Sequence, residues 1–309
     1  MMEWYNRYKP QLALVYEEAG RRIASFPAPL GAAGLAYADK FDPVKQDNGK
    51  DYICCLLPFW MKEAAGIGDG ECRSLALANV YGMLYFFIQD DVMDGAPSAD
   101  WKKQLALGNL LLLEMLAVLR GLFPSESPFW GYYHRYVNTW ADSVMNEAAA
   151  DYFMSDPLRT AGKAGPVKIA STGALLLAGR QKAIGRMEQA VDLVLTTLQM
   201  SDDWADWKTD LEEGSYNGLL ALLAASRNSE ERLTERQAEN AIYVRGGLKP
   251  YVQVARDNHR RLVELEIHAA ELIDFHSFLL RHLNHTEETI ESNRVSLLQG
   301  GFNYFLSKN

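Results

Sequence analysis

"YFFIQDDVMDG", Tyr85 to Gly95, runs aromatic and aliphatic side chains straight into three carboxylates, Asp90, Asp91 and Asp94. The stretch closes a longer pattern. From Leu75 onward apolar residues recur at three- and four-residue spacing, through Leu77, Val80, Leu84 and Phe87, with Asp91 and Asp94 next on that side. That period is helical and predicts a helix from Leu75 to Asp94. Charged Asp is rarely buried unless something neutralises it. One helix therefore poses both the question of the fold and the question of the chemistry.

The rest of the chain reads the same way. After a break at Pro97, Trp101 to Phe123 is apolar nearly all round and is expected to be a buried helix. A long aromatic-rich helix is expected from about Phe129 to Phe153, and "SDPLRTAGKAGP", Ser155 to Pro166, reads as a loop. Pro166 is placed to open a further helix. A turn near Gly185 leads into a helix from Arg186 that Gly214 ends. The remainder is helical too, with loops near Asn228 and around "RGGLKP". No strand pattern, repeat or low-complexity segment interrupts this. The expected architecture is all-α, one antiparallel helical bundle over residues 1–309 around a deep apolar pocket.

Composition narrows the function. The 309 residues are 48% hydrophobic and 23% charged, which suits a globular domain with ample core. A formal net charge of −9 argues against a nucleic-acid partner. Cys54, Cys55 and Cys72 make neither a CxxC pair nor a disulfide framework, so a cytoplasmic location is expected. No transmembrane segment is expected, because no charge-free apolar stretch is long enough to span a bilayer.

A second acidic motif matches the first. In "QMSDDWADWKTDLEEG", Asp202, Asp206 and Asp210 are spaced i, i+4, i+8 and stack on one helix face, continuing the apolar stripe of Val191, Val194 or Leu195, and Leu198. Stacked like charges repel. Oxygen ligands without His or Cys suit Mg²⁺, which commonly uses a few carboxylates together with substrate phosphate oxygens. If successive helices alternate in direction, both motifs and the Ser155–Pro166 loop fall at one end of the bundle. Arg159, Lys163 and Lys168 then face the same mouth, over a well of Met83, Phe86, Phe87, Leu175, Leu195 and Leu198. Such a layout suits an amphiphile with a diphosphate head.

Here the chain resembles the class I isoprenoid synthases, the all-α enzymes that include trans-prenyltransferases and terpene cyclases. "DDVMD" is similar to their first aspartate-rich motif. "DDWADWKTD" stands where prenyltransferases carry a second one, and Asp202, Asp206 and Asp210 also have the spacing of the cyclases' second motif, with Asp in place of its final Glu. "RTA", Arg159 to Ala161, resembles the prenyltransferase Lys-Thr-Ala segment. The resemblance covers roughly Gly49 to Gly214. It departs from chain-lengthening enzymes at "GKDYICC", which keeps Lys50 but lacks the Arg-Pro that holds isopentenyl diphosphate, and at "APSADWKKQ", which lacks the Arg pair. The cyclases' C-terminal Arg-Tyr pair is also absent, only Tyr304 remaining.

The resemblance implies a terpene synthase that ionises one prenyl diphosphate of ten to twenty carbons, fifteen favoured. Asp90, Asp91, Asp94, Asp202, Asp206 and Asp210 would hold a Mg²⁺ cluster, and Arg159 and Lys168 would neutralise the departing diphosphate. Phe86, Phe87, Trp140 and Trp204 would line the cation's pocket. A short-chain prenyltransferase, a prenyl diphosphate hydrolase and a catalytically silent subunit are the alternatives. A homodimer is expected from family habit alone. His282 and His285 read as ordinary histidines, and the region after Asn217 offers no catalytic group beyond a helix that could cap the mouth.

Overall fold

The computed structural model describes residues 3–45, 52–94, 100–227 and 231–306, with backbone alone at Glu3, Asp94, Ala148 and 299–306. Every regular element among them is helical. In chain order they are α1 (Glu3–Asn6), α2 (Lys9–Ala24), α3 (Leu30–Ala38), α4 (Tyr52–Ala65), α5 (Asp69–Asp94), α6 (Trp101–Leu122) and α7 (Phe129–Ala150). Then follow α8 (Tyr152–Ser155), a 3₁₀ run (Pro157–Val167), α9 (Lys168–Leu177), a 3₁₀ turn (Gln181–Ala183) and α10 (Ile184–Glu213). The chain closes with α11 (Gly218–Ala225), α12 (Glu235–Glu239), a π-helix (Asn240–Val244), α13 (Leu248–Glu264) and α14 (Ala270–Leu306).

These elements pack as two compact units. The first comprises Met1–Asn138, Ala164–Gln189 and Ile267–Leu272. Its centre is α5, which packs against α2, α4, α6 and α9. Every residue from Leu75 to Leu84 is buried, as a helix surrounded on all sides requires. Each large apolar side chain so buried contributes about 1.5–3 kcal/mol. The helix starts six residues before the apolar period does. Its first turn is polar, with Asp69 and Glu71 at the positive pole, and Glu71 accepts the Gly68 N–H at 2.8 Å.

The expectation that α6 is buried all round is not met. Leu107, Leu111, Met115 and Leu119, one i, i+4 row with Gly108 beside it, are buried, and α6 packs on α5 and α3. The opposite flank is open, with Leu113 61% and Trp101 45% exposed. Composition alone does not bury a helix; only the row within reach of its neighbours leaves water. By length and hydropathy α6 is the single helix among the described residues that could cross a membrane.

The second unit comprises Thr139–Lys163, Ala190–Glu266 and Ile273–Asn309. Its core gathers Phe153, Met200, Trp207, Leu219, Tyr251 and Leu283, among others. The predicted helix to Phe153 breaks at Asp151, whose φ of 43° is left-handed, so Phe153 belongs to the short α8. The predicted Ser155–Pro166 loop is wound instead as 3₁₀ turns, with the Thr160 hydroxyl donating to the Pro157 carbonyl at 2.6 Å. The chain reversal expected at Gly185 comes earlier, from Gly179 (φ 67°) to Ala183.

Candidate functional site

The acidic end of α5 is built with help from α3. Asp90 is half-buried, Asp91 is exposed, and Asp94 is the last residue of the helix, its side chain outside the described residues. The Tyr37 hydroxyl donates to Asp91 Oδ2 at 2.9 Å. Behind that bond runs an aromatic file: Tyr37 lies 5.2 Å from Phe41, and Phe41 lies 5.0 Å from Phe87, ring centre to ring centre. Phe86 is buried and meets the edge of Tyr85 at 4.9 Å. Successive helical residues diverge in direction, so these two phenylalanines serve different walls. Tyr37 and Phe41 were not singled out from sequence. Their only signal is an aromatic i, i+4 pair, Tyr37 near the end of the small-residue helix "LGAAGLAYA" and Phe41 just beyond it.

The acidic segment of α10 divides its aspartates between two tasks. Asp202, Asp206 and Asp210 share a face, as their spacing predicts. Asp202 is half-buried with Oδ1 shielded from solvent, Asp206 is exposed, and Asp210 Oδ2 accepts from Asn217 Nδ2 at 2.7 Å. Asp203, which the motif reading left aside, is the buried member at 6% exposure. It accepts from Gln199 Nε2 (2.9 Å), the Gly218 N–H (2.8 Å) and the Tyr251 hydroxyl (3.2 Å). Burial nevertheless pushes its pKa up to about 6. Asn217 also donates to the Asp203 carbonyl at 2.8 Å, and its Oδ1 caps α11 by accepting the Leu220 N–H. The clue to this cap was an Asn directly before the apolar run "GLLALL".

The α5 cluster sits at the C-terminal end of its helix, the α10 cluster is spread over the last three turns of its helix, and neither helix has a basic residue in its last turn. A helix C-terminus is already a negative pole, where carboxylates are unfavourable and cations are favoured. The nearest lysine on α10, Lys208, is held instead by Glu235 and Glu239 at 2.8 Å each.

The expected diphosphate cations are placed as follows. Arg159 pairs with Asp142 at 3.6 Å and lies over the Tyr152 ring at 4.1 Å. Lys163 pairs with Glu147 at 2.9 Å. Lys168 opens α9, is 7% exposed, and has its ammonium 5.3 Å from the centre of the Tyr136 ring. Lys50 lies outside the described residues. Of the expected well, Met83, Leu175 and Leu195 are buried, and Leu198 is half-buried. Trp140 is half-buried; Trp204, also half-buried, packs against the core of the second unit.

The second unit also holds a buried polar network that sequence reading missed. His276 is fully buried, its Nε2 2.9 Å from Thr197 Oγ1 and its Nδ1 3.1 Å from His259 Nδ1. Asn258 Nδ2 donates to the same Thr197 hydroxyl at 3.2 Å. Burial drives the His276 pKa down to about 3. His282 and His285, the pair visible in sequence, are exposed on α14.

Among the described residues no three His, Cys, Asp or Glu side chains are gathered closely enough to hold a metal ion, a search that excludes the side chain of Asp94. The donors themselves are hard oxygens, which in chemical character fits Mg²⁺ and not zinc. Compared with known proteins, the chain matches no family model and no curated sequence.

Proposed function

We propose that the protein is a class I terpene synthase, a Mg²⁺-dependent enzyme that ionises a single prenyl diphosphate and converts the resulting cation to a terpene. The observation that supports this reading is the pair of carboxylate clusters in the C-terminal parts of α5 and α10, two helices with no basic residue in their last turns. Like charges stacked on one helix face repel, and a divalent cation would offset that repulsion. Asp90, Asp91 and Asp94 on α5, and Asp202, Asp206 and Asp210 on α10, are the residues that would hold Mg²⁺. Bound there, Mg²⁺ would supply charge neutralisation for a leaving diphosphate.

The chain's own side chains have the remaining roles. Tyr37 orients Asp91 through its hydroxyl. Phe86 and Phe87 present aromatic surface next to the acids, and ring faces attract cationic carbon. Arg159 and Lys168 are the cations proposed for the diphosphate oxygens; Arg159 would have to exchange Asp142 for substrate. The missing second set of diphosphate-binding arginines in "APSADWKKQ" favours one substrate over two.

The test is incubation with Mg²⁺ and geranyl, farnesyl or geranylgeranyl diphosphate, each alone and with isopentenyl diphosphate. A cyclic hydrocarbon from one substrate is the expected product. Longer diphosphates that form only with isopentenyl diphosphate would overturn the reading in favour of a prenyltransferase. No turnover, with Asp90→Ala indistinguishable from the native protein, would mark a silent subunit.

A further inference from the structure

In the second unit an open depression is lined by Arg227, Arg236, Arg245, Tyr243 and Val244, with Leu223 at its base. One wall is the π-helix. Its wide winding is continued by the Arg245 N–H, which donates to the Asn240 carbonyl at 3.0 Å, and closed by the Gly247 N–H, which donates to the Ala241 carbonyl at 2.8 Å. π-windings are rare and concentrate at functional sites. Two glycines make this turn feasible. Gly246 has a φ of 72°, a left-handed value. A Cβ on Gly247 would lie 2.6 Å from Leu223 Cδ2 and 2.8 Å from the Ala241 carbonyl oxygen. The segment "VRGG" is therefore shaped to bring Arg245 to the rim.

The charge balance of the depression is positive, in a chain whose net charge is −9. Arg236 and Arg245 are exposed and make no ion pair or side-chain hydrogen bond among the described residues. Arg227 donates to the Glu231 carbonyl at 3.4 Å. The acids nearby are already matched: Glu239, which lines the depression, holds Lys208, and Glu291, near Gly246, holds Arg294 at 2.6 Å. Guanidinium forks match the oxygens of a phosphoryl group in geometry and charge. Beside them Tyr243 is 41% and Val244 56% exposed, an apolar surface for the body of the same ligand.

We propose that this depression binds the phosphoryl group of an apolar-bodied phosphate or diphosphate ester. A soluble ester and an anionic lipid headgroup share that chemistry. The site uses none of the motif aspartates, so it stands or falls independently of the terpene synthase reading.

The test uses the full chain in EDTA, which removes metal-assisted binding elsewhere. Calorimetry with inorganic diphosphate is one arm. Sedimentation with phosphatidylcholine vesicles, with and without phosphatidic acid, is the other. Saturable binding is expected in at least one arm, weakened about tenfold by R236Q or R245Q and about a hundredfold by the pair. Diphosphate binding alone identifies a soluble ester; binding to phosphatidic acid vesicles alone identifies a headgroup. As a readout independent of variants, native binding should weaken steeply with added salt. Binding in neither arm, equal binding to pure phosphatidylcholine, insensitivity to salt, or unchanged affinity in the folded double variant overturns the proposal.

Discussion

The hydroxyl of Tyr37 reaches Oδ2 of Asp91 across 2.9 Å and 54 positions of sequence, tying the end of α3 to the acidic end of α5. The bond is exposed to water, which replaces it when it is lost, so its net contribution to stability is small, about 0.5 kcal/mol. Tyr37→Phe keeps the ring against Phe41 and removes only this bond. Turnover is expected to fall about tenfold, with a higher Mg²⁺ concentration needed for half-maximal rate and little change in Tm. A Mg²⁺ titration of activity beside a melting curve checks this. An unchanged Mg²⁺ requirement would show that Asp91 is oriented by other groups.

Binding of Mg²⁺ to the motif carboxylates should show in stability. Asp90→Asn and Asp206→Asn each remove one proposed ligand. The native chain should gain stability on adding millimolar Mg²⁺, and the variants should gain less. Equal Mg²⁺ responses in native and variant chains would refute the metal assignment without any assay of turnover.

Asp203 and His276 give the second unit opposed pH responses. The Asp203 carboxyl is raised to about 6 from an ordinary value of 3.8. Between those values the folded state keeps a proton that the unfolded state has released, so this group's contribution falls as pH rises. His276 is lowered to about 3 from 6.5, so over that range the unfolded state binds more protons and stability rises with pH. The two trends overlap between pH about 4 and 6 and partly cancel. Urea unfolding across that window should show a rising slope in Asp203→Asn and a falling one in His276→Gln. Parallel slopes in both variants would contradict these protonation states.

Tyr81 is fully buried on α5, and its hydroxyl has no hydrogen-bond partner among the described residues. Burying an unsatisfied hydroxyl costs about 1–3 kcal/mol. Tyr81→Phe is therefore expected to raise stability by about 1 kcal/mol, read from chemical denaturation. A lower stability would show that the hydroxyl is solvated by a water held inside the first unit.

Helix type and order were legible because apolar residues at Leu75–Leu84 and along α10 repeat with the helical period, and Gly and Pro mark most boundaries. What escaped was set by tertiary context. Nothing local distinguishes Asp203 from Asp202; only the approach of Gly218, Gln199 and Tyr251 makes one structural. The exposed flank of α6 has the same leucines as its buried row. The aromatic file from Tyr37 to Phe87 depends on α3 meeting the end of α5, a long-range pairing with no sequence period. His276 is surrounded by residues from α10 and α13 that no spacing rule connects.

The π-helix has a consequence for how this chain could have changed over generations. A π-winding closes i→i+5 bonds and so takes up one residue more in its turn than an α-winding does. Deleting one position between Asn240 and Val244 would restore ordinary winding. It would rotate Arg236 and Glu239 by about 100° relative to Arg245. That rotation would draw Arg236 and Arg245 apart. The codon for a single residue in "NAIYV" thus separates a chain with this basic depression from one with an unbroken helix in its place.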